Sequence, residues 1–333
     1  MPFHRKLVLA IALLGLAVLT LASPAGAGQT PRPTDGKLLA SGLEGTIGGT
    51  IGPDGALYVP EGALGRITRI DPRNGKATTF ASGLPPAPFG GVIDVAFIGT
   101  RAYALVTLVA PDHVVGIYRV DDADSFTVIA DLGAFSIDNP PPYPIDVPTG
   151  LQYALQPVAG GFLITDGHHN RVLRATLSGQ VTELIALGND VPTGLAVSGK
   201  TVYMAEAGPI PHTPETGKVV AFDIRAPILR DVASGFSLIV DVELGRDGML
   251  YALSQGDSPG DVPPASPAKP DSGKLLRVNH DGTFTVLVDR LDLPTSLDFA
   301  GDTAFIVTLN GEVWRIKHVS KAKPVGPCQP FRV

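Results

Sequence analysis

The chain has 333 residues, of which 44% are apolar and 17% are charged, and its formal net charge is -6. A chain of this length and composition can bury a large hydrophobic core. The weak negative charge argues against a surface for nucleic acid, which depends on many lysine and arginine contacts to phosphate.

The first 27 residues have the pattern of a secretory signal peptide. Two basic residues precede an apolar run over residues 7–22, and the small residues at 25–27 suit a cleavage site. We expect a mature chain that begins near Gly28, with a linker over residues 28–36, in a secreted or periplasmic protein without further membrane contact. The alternative, a single membrane anchor, is disfavoured because the run is short and ends at Pro24.

The sequence contains one cysteine, Cys328, near the C-terminus. An exported protein with one thiol cannot form an internal disulfide, so burial of apolar side chains has to hold the fold together. We expect a monomer with a C-terminal tail at residues 321–333. Cys328 is either an ordinary residue of this tail or one that pairs between molecules.

Glycine and proline separate short runs of apolar residues along the whole mature chain, a pattern typical of short strands in an all-β protein. Six similar units follow one another. Their first strands read TIGGTI, GVIDVAF, VPTGLQY, VPTGLAV, LIVDVEL and LPTSLDF. In each unit a tight, mostly glycine-containing turn leads to a second strand, because glycine readily adopts the positive φ that such turns often need. A third strand, such as NRVLRA or GKLLRVN, completes the shared part of the unit.

A fourth strand follows in five of the six units, and it is missing after GEVWRIK in the last unit. The segment KLLASGL at residues 37–43 resembles the fourth-strand ends TTFASGL and RDVASGF, yet no unit precedes it. Four-stranded units of roughly 40 to 60 residues have the size of propeller blades. We therefore predict an all-β, six-bladed β-propeller of four-stranded antiparallel blades over residues 37–320, with its ring closed by the N-terminal strand.

The connecting loops divide between the two faces of such a ring. One face receives the loops between second and third strands and the connections between blades. We call it the Pro-rich loop face, because it carries TLVAPDHVV, SIDNPPPYPID, AGPIPHTPETG and QGDSPGDVPPASPAKPDSG. Long loops on a rigid scaffold often carry function. We expect this face to bind a small molecule or an extracytoplasmic protein, and the alternative is that the loops are solvent-exposed spacers.

Three acids end second strands on this face, namely Glu61, Asp166 and Glu206. The equivalent residues in the other blades are Val106, Ser254 and Thr308. Carboxylates that converge on a narrow channel repel one another unless their pKa values rise or a cation lies between them. Calcium prefers oxygen ligands of this kind. The three acids are therefore candidate ligands for a divalent cation such as Ca²⁺, and the alternative is that each caps a nearby loop amide.

Two further acids, Asp94 and Asp241, lie near the start of the innermost strand in blades 2 and 5. The repeat alignment places them where other blades have Gly150, Gly194 and Ser296. Blades 2 and 5 lie opposite each other in a ring of six, so the two carboxylates are a candidate site for a cation or a polar ligand. Alternatively, each binds local backbone amides.

The adjacent histidines His168 and His169, in DGHHNRV, are a further candidate for ligand binding or general base catalysis. A structural turn is the alternative, since no third partner follows from their spacing. No GxSxG elbow supports a serine hydrolase, since the string GDSPG lies within a Pro-rich loop, and the sequence has no glycine-rich phosphate loop. It therefore indicates no catalytic residue and no definite cofactor.

The segment LITDGHHNRVLRA resembles the NHL-type repeat, in which an acid, a Gly/Asn turn and NRV lead into the third strand. The resemblance implies a turn role for Asn170 and Arg171. Over nearly the whole mature chain, the recurring LASGL, PTGL and LLRV elements and the exported start resemble the ScyD/ScyE family. These propeller proteins are named after members encoded with scytonemin pigment biosynthesis in cyanobacteria. The resemblance implies a propeller and no settled activity.

Three classes of function remain open at this point. The first is an exported propeller that binds a ligand or partner through the Pro-rich loop face, without catalysis. The alternative is a metal-dependent hydrolase or lactonase at the channel mouth, in which Glu61, Asp166 and Glu206 hold the ion and His168 or Asp241 moves protons. A purely structural surface protein would leave the channel acids individually capped.

Overall fold

The computed structural model describes residues 36–209, 212–260, 262, 266–323 and 325. The expected signal peptide, nearly all of the expected linker, and Cys328 lie outside the described residues.

The described strands form six four-stranded sheets, and every pairing between neighbouring strands is antiparallel. Blade 1 contains β2 (Thr50–Ile51), β3 (Leu57–Glu61), β4 (Arg66–Ile70) and β5 (Ala77–Ser82). Blade 2 contains β6 (Gly91–Ile98), β7 (Arg101–Thr107), β8 (Gly116–Asp122) and β9 (Ser125–Asp131). Blade 3 contains β10 (Gln152–Val158), β11 (Gly161–Asp166), β12 (Arg171–Thr176) and β13 (Val181–Ala186).

The second half of the chain repeats this order. Blade 4 contains β14 (Pro192–Ser198), β15 (Thr201–Glu206), β16 (Lys218–Asp223) and β17 (Ala226–Ser234). Blade 5 contains β18 (Ile239–Leu244), β19 (Leu250–Ser254), β20 (Gly273–Val278) and β21 (Phe284–Leu291). Blade 6 contains β22 (Pro294–Ala300), β23 (Thr303–Thr308), β24 (Val313–Lys317) and the N-terminal strand β1 (Lys37–Ala40).

The N-terminal strand closes the ring, which confirms the predicted fold. Strand β1 pairs with β24, with Lys37 opposite Arg315 and Leu38 opposite Trp314. The turn after β4 leaves room for this strand, because a Cβ on Gly75 would lie 1.9 Å from the backbone oxygen of Leu39. Gly75 also has a φ of 78°, a value that favours glycine. Glycine at position 75, in the last turn of blade 1, therefore allows the N-terminal strand to pack closely enough to complete blade 6.

The hydrophobic core lies between neighbouring blades. Each of the six blade pairs shares one cluster of buried side chains, so the core forms six layers around the ring. The layer between blades 1 and 2, for example, contains Ile67 and Val95, and the layer between blades 6 and 1 contains Val59 and Phe305. Burial between blades is the main source of stability in such a ring, and it leaves the inner strands β2, β6, β10, β14, β18 and β22 around a central channel.

One helix interrupts the connection from blade 2 to blade 3, where the sequence indicates only a Pro-rich loop. Helix α1 (Leu132–Asp138) begins at Asp131, whose Oδ1 accepts a hydrogen bond of 2.7 Å from the Ala134 amide. It ends at Asn139, directly before a proline, and a residue in that position avoids helical geometry. Seven residues are too few for a recognisable helical period. Within the described ranges, no helix is long and apolar enough to cross a membrane.

Candidate functional site in the central channel

A cavity of about 670 Å³ lies in the central channel and is lined by the inner strands of all six blades. At the Pro-rich loop face its lining includes His212, Gln255 and Pro267, which come from the loops of blades 4 and 5. Towards the opposite face it reaches Phe97 and Phe299, near the ends of β6 and β22. Two of the Pro-rich loops therefore border the entrance to a cavity that extends along the channel.

Asp94 lies in this cavity wall and joins three blades. Its Oδ1 accepts a hydrogen bond of 2.8 Å from the amide of Val95, and its Oδ2 accepts one of 2.7 Å from Leu155 in blade 3. On the other side it touches blade 1 at Gly48, where a Cβ would lie 2.4 Å from Oδ1. Glycine at this position therefore makes room for the carboxyl group of the next blade.

Asp241 repeats this arrangement three blades later. Its Oδ1 accepts a hydrogen bond of 2.9 Å from Val242, and its Oδ2 accepts one of 2.7 Å from Leu297 in blade 6. Gly194 of blade 4 stands where Gly48 stands in blade 1, because a Cβ on Gly194 would lie 2.1 Å from Asp241 Oδ1. Both predicted channel aspartates thus bind backbone amides, as the alternative reading holds, and both also line the cavity.

The repeat alignment is wrong at one position. In β10, Gln152 pairs with Asp166, as Pro192 pairs with Glu206 in β14, so the residue equivalent to Gly194 is Ala154. Gly150 precedes β10 and has a φ of 75°, and a Cβ there would lie 2.6 Å from the carboxylate of Asp166. The VPTG motif of blade 3 is therefore displaced by four residues along its strand.

Two further cavity acids were missed by the sequence reasoning, namely Glu243 and Asp298. They follow Asp241 and Ser296 by two residues, and alternate residues of a strand point to the same side. The two-residue spacing from Asp241 and Ser296 could therefore have identified Glu243 and Asp298 from the sequence. Asp298 Oδ2 accepts hydrogen bonds from Ile51 N at 2.5 Å and Thr50 Oγ1 at 3.0 Å. Its Oδ1 accepts one of 2.5 Å from Phe299 N, and Glu243 Oε2 accepts one of 3.2 Å from Leu244 N.

Burial changes the acidity of these groups. It raises the pKa of Asp94 to about 8 and the pKa of Asp241 to about 7, although the backbone hydrogen bonds act in the opposite direction. Burial, together with the nearby charges of Asp298 and Asp241, raises the pKa of Glu243 well above its usual range. No lysine or arginine is present among the described residues that line the cavity. In the described part of the chain, the four carboxyl groups of the channel therefore have no lysine or arginine beside them, and His212 lies at the entrance.

The acids at the ends of the second strands have a different environment. Glu61 is fully buried and forms an ion pair with Arg66, with 2.7 Å between Oε1 and Nε. Its Oε2 accepts a hydrogen bond of 3.0 Å from the Glu44 amide, and its Oε1 accepts one of 2.5 Å from Thr68 Oγ1. Each oxygen of Glu61 therefore already has partners within blade 1 and its adjoining segment.

Asp166 forms the equivalent ion pair in blade 3. Its Oδ2 lies 3.1 Å from Arg171 Nε, and its Oδ1 accepts a hydrogen bond of 3.1 Å from Leu151 N. Arg171 is only 1% exposed, and it also donates to the Asn139 oxygen at 2.7 Å and to Ser136 Oγ at 2.9 Å. Arg171 therefore holds helix α1 against blade 3, a role beyond the turn that the resemblance implies.

Glu206 has a basic neighbour but weaker contacts. Lys218 Nζ lies 3.2 Å from its Oε2 and also donates to Asp190 Oδ2 at 3.3 Å. Both Glu206 carboxyl oxygens are buried without a hydrogen bond of good geometry. Burial raises the pKa of Glu206 to about 7, and Lys218 opposes that shift.

These contacts bear on the predicted metal site. Glu61, Asp166 and Glu206 end three different strands, and each faces a basic side chain of its own blade. The described residues contain no group of three His, Cys, Asp or Glu side chains that could hold a metal ion. Each of the three acids therefore has a basic partner of its own, and a calcium site stays a prediction from the sequence.

The two histidines hold the Pro-rich connection into blade 3. His168 Nε2 accepts hydrogen bonds from the amides of Asp146 at 3.3 Å and Val147 at 3.2 Å. His169 Nε2 donates to the Val147 oxygen at 3.0 Å, and its Nδ1 lies 2.9 Å from Arg171 Nη2. Burial lowers the pKa of His168. Neither histidine lines the cavity, and their contacts match the structural turn that the sequence leaves open.

Comparisons with known proteins identify the fold. No protein-family model and no curated protein matches the sequence. Among solved structures, a gluconolactonase from Xanthomonas campestris is 15% identical with a TM-score of 0.60, over 84% of this chain and 89% of that one. A putative oxidoreductase (glucose dehydrogenase) from Thermus thermophilus is 19% identical with a TM-score of 0.56, over 84% and 99%. The PQQ-bound aldose sugar dehydrogenase from Streptomyces coelicolor is 14% identical with a TM-score of 0.56, over 87% and 99%.

The structural neighbours are thus gluconolactonase-like and dehydrogenase-like propellers. Identities this low show a shared fold and carry no activity over to this chain. The resemblance to the ScyD/ScyE family stays a prediction from the sequence.

Proposed function

We propose that this chain is an exported propeller that binds a small molecule in its central cavity, through an entrance at the Pro-rich loop face. The observation that carries the proposal is the cavity itself. Its volume of about 670 Å³ lies within the roughly 300–1,000 Å³ that is typical of small-molecule sites. Its lining combines apolar side chains with four carboxyl groups and several hydroxyl and amide groups, which could orient a polar ligand.

Hydrogen bonds fix several described residues of the entrance loops. Gln255 Oε1 accepts a hydrogen bond of 3.0 Å from Ala268 N, and the Lys269 amide donates to the Asp257 oxygen at 2.9 Å. In blade 4, His212 Nδ1 donates to the Ala207 oxygen at 2.9 Å. A site formed before the ligand arrives loses less conformational entropy on binding.

The wall is fixed in the same way. Asp94, Asp241 and Asp298 each connect an inner strand to the inner strand of the next blade. These contacts keep the inner strands at a constant spacing, and therefore keep the cavity open. Together with the entrance loops, they support binding by a rigid site.

A variant that fills the channel tests this proposal. Ala154 lines the cavity, so Ala154→Trp would obstruct it, whereas Ala159→Trp changes an exposed turn outside the cavity lining and serves as the control. We expect some members of a mixed library of amines, sugars, lactones and carboxylates to bind the purified mature protein in saturation-transfer NMR. Their binding should be lost in Ala154→Trp and kept in Ala159→Trp. Ligands that bind all three proteins equally, or a library without any ligand, would contradict the proposal.

Hydrolysis of a lactone or ester is a second candidate function. It is favoured by two cavity carboxyl groups, Asp94 and Asp241, whose pKa values burial raises to about 8 and about 7. Groups with such values can accept a proton near neutral pH, and a proton taken from water would leave hydroxide to attack a carbonyl. The named gluconolactonase among the structural neighbours makes gluconolactone the first substrate to test.

The hydrolase candidate needs its own experiment. We expect hydrolysis of gluconolactone above the spontaneous rate, with a loss of at least about tenfold in Asp241→Asn, the usual scale for a general base. Glu206→Gln changes a buried acid outside the cavity lining and should keep the rate. A rate equal to that of buffer, or an unchanged rate in Asp241→Asn, would exclude this candidate and leave ligand binding intact.

A further inference from the structure

We infer that the Pro-rich loop face also docks a protein segment that carries apolar and basic side chains. The docking surface lies over blades 1, 2 and 3, and we call it the blade 1–3 rim. It consists of residues 62–65, 83–90, 108–115 and 131–150. The inference goes beyond the proposed function, because its large exposed apolar residues, Leu64, Phe89 and Ile137, are not among the described residues that line the cavity.

The large apolar side chains of this rim are exposed on consecutive loops. Leu64 is 41% exposed, Phe89 is 55% exposed and Ile137 is 56% exposed. Exposed prolines accompany them, namely Pro86, Pro88, Pro111, Pro140, Pro142 and Pro144. By contrast, the exposed residues Val128 and Ile228 lie on two separate outer strands. An exposed apolar patch with a polar edge is typical of a surface that contacts another protein.

The four segments of the rim form one continuous surface, because each contacts the next through its backbone. The contacts are the hydrogen bonds from Leu84 N to Gly65 O and from Leu132 N to Val115 O, both of 2.9 Å, and the close approach of Gly90 to Leu108. Arg171 of blade 3 fixes the end of helix α1, since it donates to the Asn139 oxygen at 2.7 Å. The prolines add stiffness, because proline has a fixed φ. A partner therefore meets a surface that needs little ordering on binding.

The charges of the rim select the sign of the partner. Its segments contain one histidine, His113, and no lysine or arginine. Their acids are all exposed, namely Asp112, Asp131, Asp138 and Asp146. The adjoining Arg66 and Arg171 each pair with an acid of their own blade. Because complementary charges steer association and exclude partners of the wrong sign, the segment that covers the apolar residues should carry lysine or arginine.

The same charges disfavour two other occupants. A second copy of the chain, docked face to face, would place aspartates against aspartates, and like charges across an interface are costly. An anionic membrane surface attracts basic segments and would repel these aspartates. A basic, apolar protein segment is therefore the occupant that matches both the apolar residues and the acids of the rim.

A random dodecapeptide library displayed on phage tests this inference at about pH 7.5. Phage that bind the double variant Phe89→Ser, Ile137→Ser are removed first, and the remainder is selected on the purified wild type. Both substitutions change exposed side chains, so the melting temperature of the double variant should stay that of the wild type. We expect the selected peptides to combine aromatic or aliphatic residues with lysine or arginine. Selected peptides that are acidic or uncharged, or a library without enrichment, would overturn the inference.

The most enriched peptide is then synthesised, and its affinity is measured by fluorescence anisotropy. We expect Phe89→Ser to weaken binding at least about tenfold, the usual scale for loss of a central aromatic contact. Ile228→Ser is the matched control, because Ile228 is 80% exposed on β17, outside the rim, and it should leave the affinity unchanged. Equal affinities for the wild type and Phe89→Ser would overturn the role of the rim.

The role of charge is tested with a second pair of variants. Asp138→Asn, Asp146→Asn should weaken the binding of the same peptide several-fold at low salt and should reduce the salt dependence of its affinity. Asp122→Asn, Asp124→Asn removes two exposed charges at the turn between β8 and β9 and should change neither. The same affinity and salt dependence in both double variants and the wild type would show that the acids of the rim do not select the partner.

Two further outcomes decide between this surface and its alternatives. Ala154→Trp obstructs the cavity and should bind the peptide as the wild type does, so loss of binding in Ala154→Trp would place the peptide in the cavity and overturn the separate surface. A wild-type dimer that Phe89→Ser dissociates in analytical ultracentrifugation would make a second copy the occupant. Normal peptide binding alongside a small-molecule library without any ligand would leave this inference intact and refute the proposed function.

Discussion

The molecule holds two sets of acids in two different environments, one fully buried and the other half-buried along the channel. At the Pro-rich loop face, Glu61 and Asp166 lie beside arginines of their own blades. In the channel, Asp94 and Asp241 each accept two hydrogen bonds from backbone amides, and Glu243 accepts one. The first set completes its charge balance within the protein. The second set has no lysine or arginine among the described residues that line the cavity, and that difference separates the structural acids from the candidate ligand-binding ones.

The largest effect is expected where a paired charge is broken. Arg171→Met leaves Asp166 fully buried without its cation and removes the hydrogen bonds to Ser136 and helix α1. Removal of one partner of a buried ion pair typically costs about 3–5 kcal/mol. We expect a loss of this size in the free energy of unfolding, measured by urea denaturation.

Arg174→Met is the matched control on the same strand, because Arg174 makes a single long hydrogen bond within the described residues, of 3.4 Å to the Ala159 oxygen. We expect it to cost less than about 1 kcal/mol. Equal losses for the two variants would mean that the buried ion pair between Arg171 and Asp166 adds no stability beyond that of an ordinary surface contact. The contrast between the two sets of acids would then disappear.

An intermediate effect is expected from the unpaired channel aspartates, as a dependence of stability on pH. Burial raises the pKa values of Asp94 and Asp241 to about 8 and about 7 in the folded protein, while an unfolded aspartate titrates near 3.9. The folded state therefore binds these protons more tightly. Their contribution to stability is complete below about pH 4 and is lost as the pH rises towards about 8.

The double variant Asp94→Asn, Asp241→Asn removes both titrating groups. Its melting temperature should fall less than that of the wild type between about pH 5 and about pH 8.5, by a few degrees. Asp112→Asn, on an exposed loop, should follow the wild type. The same fall in all three proteins would show that the channel aspartates do not titrate in this range.

The smallest effect is expected at Glu243, and it has the opposite sign. Glu243→Gln removes a carboxyl group whose ionised form is disfavoured by burial and by the three neighbouring acids Asp298, Asp241 and Asp94. We expect the variant to be about 1 kcal/mol more stable than the wild type at about pH 8, as is common for residues kept for function. The difference should shrink at about pH 5. A variant that is less stable at both pH values would instead make Glu243 a structural residue.

The sequence contains most of the information for the fold. Six blades could be predicted from the repeated strand openings and glycine turns, because each blade packs against its neighbours with similar residues at equivalent positions. The displaced KLLASGL segment predicted that β1 closes the ring. Helix α1 was not predictable, since its stability depends on the cap at Asp131 and on Arg171, which comes from another blade.

The site was predictable only in part. Asp94 and Asp241 stand out because the repeats place glycine or serine at most of the compared positions. Glu243 and Asp298 are two residues further on, where the repeats show no common residue. The interblade bonds from Asp94 to Leu155 and from Asp241 to Leu297 join segments about 60 residues apart, as repeat units of about that size require, and no local pattern encodes them. Blade 3 shows the limit of motif alignment, because its VPTG precedes the strand that carries Ala154.

Infrared spectroscopy of the carboxyl groups tests most directly the claim that the channel acids lack a countercharge. We predict that the wild type keeps a protonated carboxyl band at about pH 6.5, where ordinary aspartates and glutamates are ionised. The band should lose most of its intensity in the triple variant Asp94→Asn, Asp241→Asn, Glu243→Gln, and the remainder should disappear when Glu206→Gln is added, because burial also raises the pKa of Glu206 to about 7. A wild-type protein whose carboxyl groups are all ionised at that pH would contradict the account.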